Sequence, residues 1–318
     1  MLSPKLISKI YITGFTRQES FYMKETSLHI LHIANDFGGT EVYKNLITAL
    51  DELGFKQTVF VPLNSRIHNR IGNHMIDFKI TESRIIYSTS QKWFHKYLYG
   101  NKISTVVSDL KNKVDLSTVS LIHTGTLCMT GAVAYEIWKQ YAIPYIAAVR
   151  NTDVNTYFKM LRWKHSYFYS ILCNASNVIF LSPLYKSFCF EKLFSPQVVN
   201  CISSKTHIIP NGVDNIFLVN RRIPKKSLSD PIRLIFAGAF QKVKNVHVII
   251  NSLDVMKKRG YNILFSALGR NLLNRKISDS YLKYLDKLAA DNPFVTLLES
   301  VDKDKLIEIY SYNDIFIM

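Results

Sequence analysis

Residues 33–46, IANDFGGTEVYKNL, place two adjacent glycines, Gly38 and Gly39, at a corner. Before them runs LHILHIA (28–34), apolar and of strand type, and after them EVYKNLITALDELG (41–54) has apolar residues at helical spacing. Glycines at such a corner let main-chain amides approach a ligand closely, and the start of the helix offers unpaired N–H groups and a partial positive charge. Diphosphates and sugars suit that chemistry; a tight turn that holds nothing is the plain alternative. The pattern is not G-x-G-x-x-G, which argues against a nicotinamide dinucleotide. A second segment, HIIPNGVDNIF (207–217), joins a short strand, a proline, an Asn-Gly turn and an aromatic anchor. By itself it is an ordinary turn, but it lies between two halves of the chain.

Composition bounds the partners. The chain has 318 residues, enough for about two domains. Its net charge is +16, from 40 Lys and Arg against 24 Asp and Glu. A field of that size favours anionic partners, such as nucleotide phosphates or an acidic membrane face, or it is simply a basic solvated surface. The basic residues are dispersed and no DNA- or RNA-binding signature occurs, so nucleic acid is not an expected partner. None of the four cysteines forms a C-x-x-C pair, which leaves no zinc or dithiol motif and points to reduced thiols. No apolar run approaches the roughly 18 to 20 residues of a membrane span. Residues 1–26 lack a signal-peptide core and read as a poorly ordered extension, with Met23 an alternative start.

Strand and helix patterns alternate along the chain. KQTVFVPL (56–63), STVSLIHTG (117–125), IPYIAAVR (143–150) and NVIFLSP (177–183) read as strands, with helices at 129–141 and, long and aromatic, at 155–173. The strands are continuously apolar, the mark of a parallel sheet covered on both faces. A basic, proline-flanked stretch at 219–231 reads as a linker. The pattern then restarts with strands at 232–238, 261–269 and 294–300, helices at 245–260, 278–292 and 303–313, and a final strand, DIFIM. The expectation is an α/β protein of two doubly wound, Rossmann-like domains, 27–206 and 207–318. Because the chain stops within an apolar strand, the second domain reads as short by about two βα units of roughly 30 residues. Left open to water, that strand is expected to make the second half aggregation-prone or protease-sensitive, without transfer activity.

The segment IPNGVD (209–214) and the Gly38-Gly39-x-Glu41 corner together resemble retaining glycosyltransferases of family 4, which have the GT-B fold. The second domain of that family opens with a strand, a glycine and a lysine six residues on, matched here by Gly238 and Lys244 in FAGAFQKVKN. SALG (266–269) is similar to the glycine turn after its second strand. The likeness covers roughly 28–318 and keeps the motif order. It implies a cleft between the domains, with a nucleotide diphosphate sugar as donor substrate and no cofactor or metal. Lys244 and His123 would be catalytic, Lys244 neutralising the departing diphosphate and His123 lying near the transferred sugar. Gly38, Gly39, Asn211, Gly212, Gly238, Lys244 and Gly269 would bind the donor. Arg150 and Asp153 would hold a glycan or lipid-linked acceptor. The implied place is the cytoplasm, at the inner membrane face, where the basic and aromatic helix 155–173 is suited to an anionic surface.

Two departures qualify the resemblance. The family usually has an arginine directly after the glycine matched by Gly238, and here that residue is Ala239. The family's E-x7-E motif, which follows the last strand, does not occur in the chain, and Glu299 and Glu308 do not replace it. A GT-B sugar-nucleotide epimerase and a non-catalytic binding fragment are therefore the alternatives.

Overall fold

A computed structural model describes residues 28–64, 71–221, 227–270 and 279–318. The expected N-terminal extension, part of the linker (222–226) and the start of the 278–292 helix lie outside them. The chain forms two compact units, Met1–Gly212 and Val213–Met318. His207 and Ile208, read as opening the second domain, pair with the strand Asn177–Phe180 of the first sheet, and the division falls after Gly212.

In the first unit, strands β1 (His29–Ile33), β2 (Lys56–Asn64), β3 (Arg84–Gln91), β4 (Leu121–Thr124), β5 (Tyr145–Val149), β6 (Asn177–Phe180) and β7 (Thr206–Ile208) form one sheet. Every described pairing in it is parallel, in the order β3-β2-β1-β4-β5-β6-β7. Residues 57–63 of β2 and all of β5 are buried, as strands covered on both faces must be. Helices α1 (Glu41–Glu52), α2 (Tyr99–Lys113), α3 (Ala132–Tyr141), α4 (His165–Asn174), α5 (Pro183–Lys192) and α6 (Pro196–Ile202) complete the unit. Helix α1 starts where the Thr40 hydroxyl accepts from the Val42 amide, and it ends at Gly54, whose φ of +86° suits glycine. Strand order reverses between β1 and β4, so the crevice at their carboxyl ends is the topological switch point where open α/β sheets bind ligands.

Two expectations change here. β3 and α2 occupy a region for which the sequence offered no assignment. The long helix expected at 155–173 is broken into a π-helical turn (Asp153–Phe158), a 3-10 turn (Arg162–Lys164) and α4. The break is held by the His165 ring, whose Nε2 lies 2.8 Å from the Phe158 carbonyl oxygen and donates to it, while Phe158 itself is buried. The expected strand 117–125 likewise shortens to β4, because the Asp115 carboxylate caps a 3-10 turn at Leu116–Thr118.

The second unit has β8 (Ile232–Ala237), β9 (Ile263–Leu268), β10 (Val295–Leu298) and β11 (Ile315–Phe316), all parallel and ordered β10-β9-β8-β11. Around them lie α7 (Asn215–Val219), α8 (Val246–Lys258), α9 (Asp279–Ala290) and α10 (Lys303–Tyr312). Leu234, Phe236, Ile250, Phe265 and Leu285 centre its core. β11 pairs with β8 at one side of the sheet, with Ile315 39% and Phe316 46% exposed. Among the described residues no helix is long and apolar enough to cross a membrane.

Candidate functional site

In the first unit the singled-out residues gather at the carboxyl ends of β1, β4 and β5. Beyond β1 the chain makes a 3-10 turn at Phe37–Gly39, closed by the Gly39 amide donating to the Asp36 carbonyl at 2.9 Å. Phe37 is fully buried and anchors the turn, its ring edge-on to His74. The Gly38 carbonyl accepts from the Asn73 side chain at 3.2 Å. The glycine corner is therefore a built turn at the mouth of α1, with Glu41 in the first turn of that helix.

His123 is buried at the end of β4, in register with His32 on β1. Their Nδ1 atoms are 3.1 Å apart, and His32 Nε2 is 3.0 Å from Gln57 Oε1 on β2. Burial lowers the pKa of His32 to about 4 and, with His32 and Arg150 nearby, holds that of His123 well below the usual imidazole value. Neither ring carries a charge at neutral pH.

Arg150 follows β5. Its Nε donates to the Gly125 carbonyl at 3.1 Å and its guanidinium to the Asn211 side-chain oxygen at 2.6 Å. Arg150, expected at the acceptor, and Asn211, expected at the donor, are thus direct partners. The Asn-Gly turn is fastened to the sheet by an arginine distant in sequence. Gly125 lies against Tyr43 of α1: a Cβ there would meet the Tyr43 hydroxyl at 2.1 Å. Tyr43 is buried, and burial pushes its phenol up to about 12 despite the nearby Arg150.

Asp153 takes a different place from the one expected. It is fully buried, and its carboxylate accepts from the amides of Leu127 (3.1 Å), Cys128 (2.8 Å) and Arg150 (2.8 Å). Burial raises its pKa against the pull of those amides. These oxygens serve the protein's own main chain, joining the turn after β4 to the start of Arg150's loop. Asp153 positions the edge, and its carboxylate is fully buried there rather than open to a ligand.

In the second unit, Gly238 and Gly269 follow β8 and β9 and touch through their backbones. A Cβ on Gly269, which has φ +128°, would lie 2.1 Å from the Gly238 carbonyl oxygen. The Gly238 amide donates to Leu268 at 2.9 Å, and the Gly269 amide to Leu298 at 3.1 Å. Lys244 ends a 3-10 turn (Lys242–Lys244) that is anchored by the fully buried Phe240. Both lysines are exposed, so two ammonium groups stand at this edge, where Ala239 contributes no charge. Arg270 is held by Asp286 in a two-pronged pair at 2.5 and 2.7 Å. A Cβ on Gly212 would meet nothing within 4 Å, so that turn is open.

His32, Gln57, Tyr43 and Gly125 escaped sequence reasoning. Gly125 alone carried a signal, as the glycine that closes LIHTG. A groove of about 490 Å³ lined by Tyr99, Ser104, Lys111, Glu136 and Tyr167 contains none of the singled-out residues.

Two parallel α/β units of this kind, each with its residues of interest at the carboxyl ends of the strands, define a GT-B fold of Rossmann-like domains. Solved structures of that fold resemble the chain. Sucrose-phosphate synthase from Thermosynechococcus elongatus matches with TM-score 0.65 and 14% identity, covering 91% of this chain and 74% of its own. HepE from Anabaena, solved in complex with UDP-glucose, matches with TM-score 0.57 and 14% identity, over 91% of this chain and 73% of its own. A UDP-N-acetylglucosamine 2-epimerase described as putative, from Listeria monocytogenes, matches with TM-score 0.51 and 8% identity, over 89% and 71%. At these identities the likeness is one of fold. No protein-family model matches the chain, and comparison with curated proteins returns no match.

Proposed function

We propose that the protein is a glycosyltransferase of the family 4 type, moving a sugar from a UDP- or GDP-sugar to a glycan or lipid-linked acceptor with retention of configuration. The observation that carries this reading is the edge of the second sheet. There, Gly238 and Gly269 bring bare backbone together beside the exposed Lys242 and Lys244. An ammonium group beside backbone that no side chain covers suits a diphosphate leaving group, because negative charge grows on it as the sugar departs. Lys244 supplies the charge, and the glycines keep the edge free of side chains. At the first sheet, His123 faces the transferred sugar and Arg150 holds the acceptor side of the reaction, while Asn211 is kept in place by Arg150.

This reading places the enzyme in the cytoplasm at the inner membrane face, in the synthesis of a cell-surface polysaccharide. Met160 and Trp163, 67% and 74% exposed, stand beside exposed Lys159 and Arg162 on the broken segment after β5. Apolar and cationic groups together suit an anionic lipid surface. Isothermal titration of the full chain against common nucleotide sugars tests the central reading: binding of at least one is expected, and binding of none removes it.

The epimerase-like neighbour and Ala239 favour two further readings. Release of an epimerised nucleotide sugar in the absence of any acceptor would identify an epimerase. Tight binding of a nucleotide sugar with no transfer and no hydrolysis would identify a binding protein.

A further inference from the structure

We propose that Cys173 and Cys201 are a redox modification site: on oxidation by a low-molecular-weight disulfide, the two thiols close a bond that staples α4 to α6. The pair lies before the amino ends of β6 and β7, away from the carboxyl-end crevice, and its chemistry does not rest on the functional reading above.

Strand pairing brings the two cysteines together. Helix α4 leads into β6 and α6 into β7, and these strands are parallel neighbours in which Val178 faces Thr206. Cys173 stands five residues before Val178 and Cys201 five before Thr206, so the two helices deliver a cysteine at the same end of the sheet. The helices pack directly on each other. Leu172 and Ile202, the residues next to the cysteines, are fully buried and fix both helix ends in the core. The Cys201 thiol donates to the Cys173 carbonyl at 3.7 Å, and the Cys173 thiol has that of Cys201 as its hydrogen-bond neighbour. From such contact, side-chain rotation brings the sulfurs to the roughly 2.05 Å of a disulfide.

Exposure sets the order of reaction. Cys201 is exposed and Cys173 half-buried. Burial, with the Cys201 thiol adding to it, pushes the Cys173 thiol up to about 11 against the pull of Lys205. The Lys205 ammonium donates to the Cys173 carbonyl at 2.6 Å and to that of Ala175 at 2.7 Å, so a cation shares the oxygen that Cys201 reaches. Cys201 therefore reacts first. It loses its proton, and its thiolate attacks one sulfur of glutathione disulfide; the sulfur–sulfur bond breaks and one glutathione thiolate leaves. Cys173 then loses its proton and attacks the Cys201 sulfur, and the second glutathione leaves. Two protein thiols are oxidised, one disulfide is reduced, and the two protons end on the two glutathiones. The second step is intramolecular, which offsets the low thiolate fraction of Cys173. Cys128 and Cys189, both fully buried, are shut off from such a reagent.

Phenylarsine oxide, whose arsenic bridges two adjacent thiols with loss of water, reads the contact on the full native chain. One equivalent should bind, and Cys201→Ser, a change at an exposed position, should weaken binding by about a hundredfold or more, because only a thiol pair chelates. Equal binding by the parent and the variant would overturn the proposal. The parent is then treated with glutathione disulfide, blocked with N-ethylmaleimide and weighed. We expect a monomer lighter by two hydrogens, with the peptides of Cys173 and Cys201 joined, and neither change in Cys201→Ser. A mixed disulfide that persists on Cys201, or a dimer linked through it, would overturn the intramolecular bond. The bond spans 28 residues and restricts the unfolded chain, so the oxidised first unit should melt about 5 °C or more above the reduced one. An unchanged or lower midpoint would show that closure distorts the unit, and would overturn the staple.

Discussion

Replacing Gly269 by alanine tests the geometry of the second unit's edge with little room for interpretation. The new methyl carbon would sit 2.1 Å from the Gly238 oxygen and 2.6 Å from its carbon, where ordinary contact begins at 3.4 Å. The ends of β8 and β9 would have to part by roughly 1 Å. Two hydrogen bonds stand in the way, Gly238 to Leu268 and Gly269 to Leu298. Losing them costs about 1 kcal/mol each. A non-glycine residue in a left-handed conformation adds about 1–3 kcal/mol. Together these come to about 3–5 kcal/mol, a large part of the roughly 5–15 kcal/mol that holds a domain folded. For a unit of this size each kcal/mol moves the midpoint by about 4–8 °C, so melting of the second unit should fall by more than about 12 °C. Circular dichroism gives the midpoint, and limited proteolysis during heating assigns it to one unit. Gly212→Ala, with nothing within 4 Å of the added carbon, is the control and should melt like the parent. A Gly269→Ala protein that melts within about 2 °C of the parent would show that the two backbones do not approach as described.

Three further outcomes follow from the same geometry. His32 has its pKa lowered to about 4 in the fold against 6.5 in the unfolded chain. The unfolded chain therefore binds a proton that the native one refuses, so the stabilisation is present above pH 6.5 and lost on acidification, amounting to about 3 kcal/mol by pH 4. Urea midpoints across this range should drop less steeply for His32→Gln, and parallel curves would refute the assignment. Asp153→Asn removes the charge that three main-chain amides share and turns an N–H toward one of them. It should cost about 2–3 kcal/mol in urea unfolding, and an unchanged midpoint would contradict the described contacts. Lys244→Ala should leave the melting point unaltered, because the side chain is exposed, and weaken binding of a nucleotide diphosphate sugar about tenfold or more by titration calorimetry.

Much of the molecule is legible from local pattern. The apolar strands β1, β2, β5, β6, β8 and β9 and helices α1, α8 and α10 appear in the sequence because period and turn chemistry are properties of neighbouring residues. Gly54 and Gly260 mark helix ends, and both take the positive φ that glycine permits. Gly238 and Gly269 are singled out by the resemblance to family 4 glycosyltransferases, and of the two Gly269 has a positive φ. The segment 155–173 shows where pattern fails. Its aromatic, helix-like spacing is overridden by burial of Phe158 and by His165 reaching back to its carbonyl.

What joins the edge together is not local. The sequence singles out His123, Arg150, Asp153 and Asn211, but not His32, and says nothing of who meets whom. The pairing of β1 with β4 brings His32 beside a residue 91 positions away, and the order β5-β6-β7 brings Arg150, after β5, to a residue 61 positions away, after β7. The same packing turns Asp153 inward, from a candidate ligand into a support for three amides. Strand order follows from how the crossover helices bury their apolar faces, and hydrogen-bond direction from which groups that burial leaves without water. Both are consequences of the whole chain closing on itself, so residue types were set by the sequence and their roles by the fold.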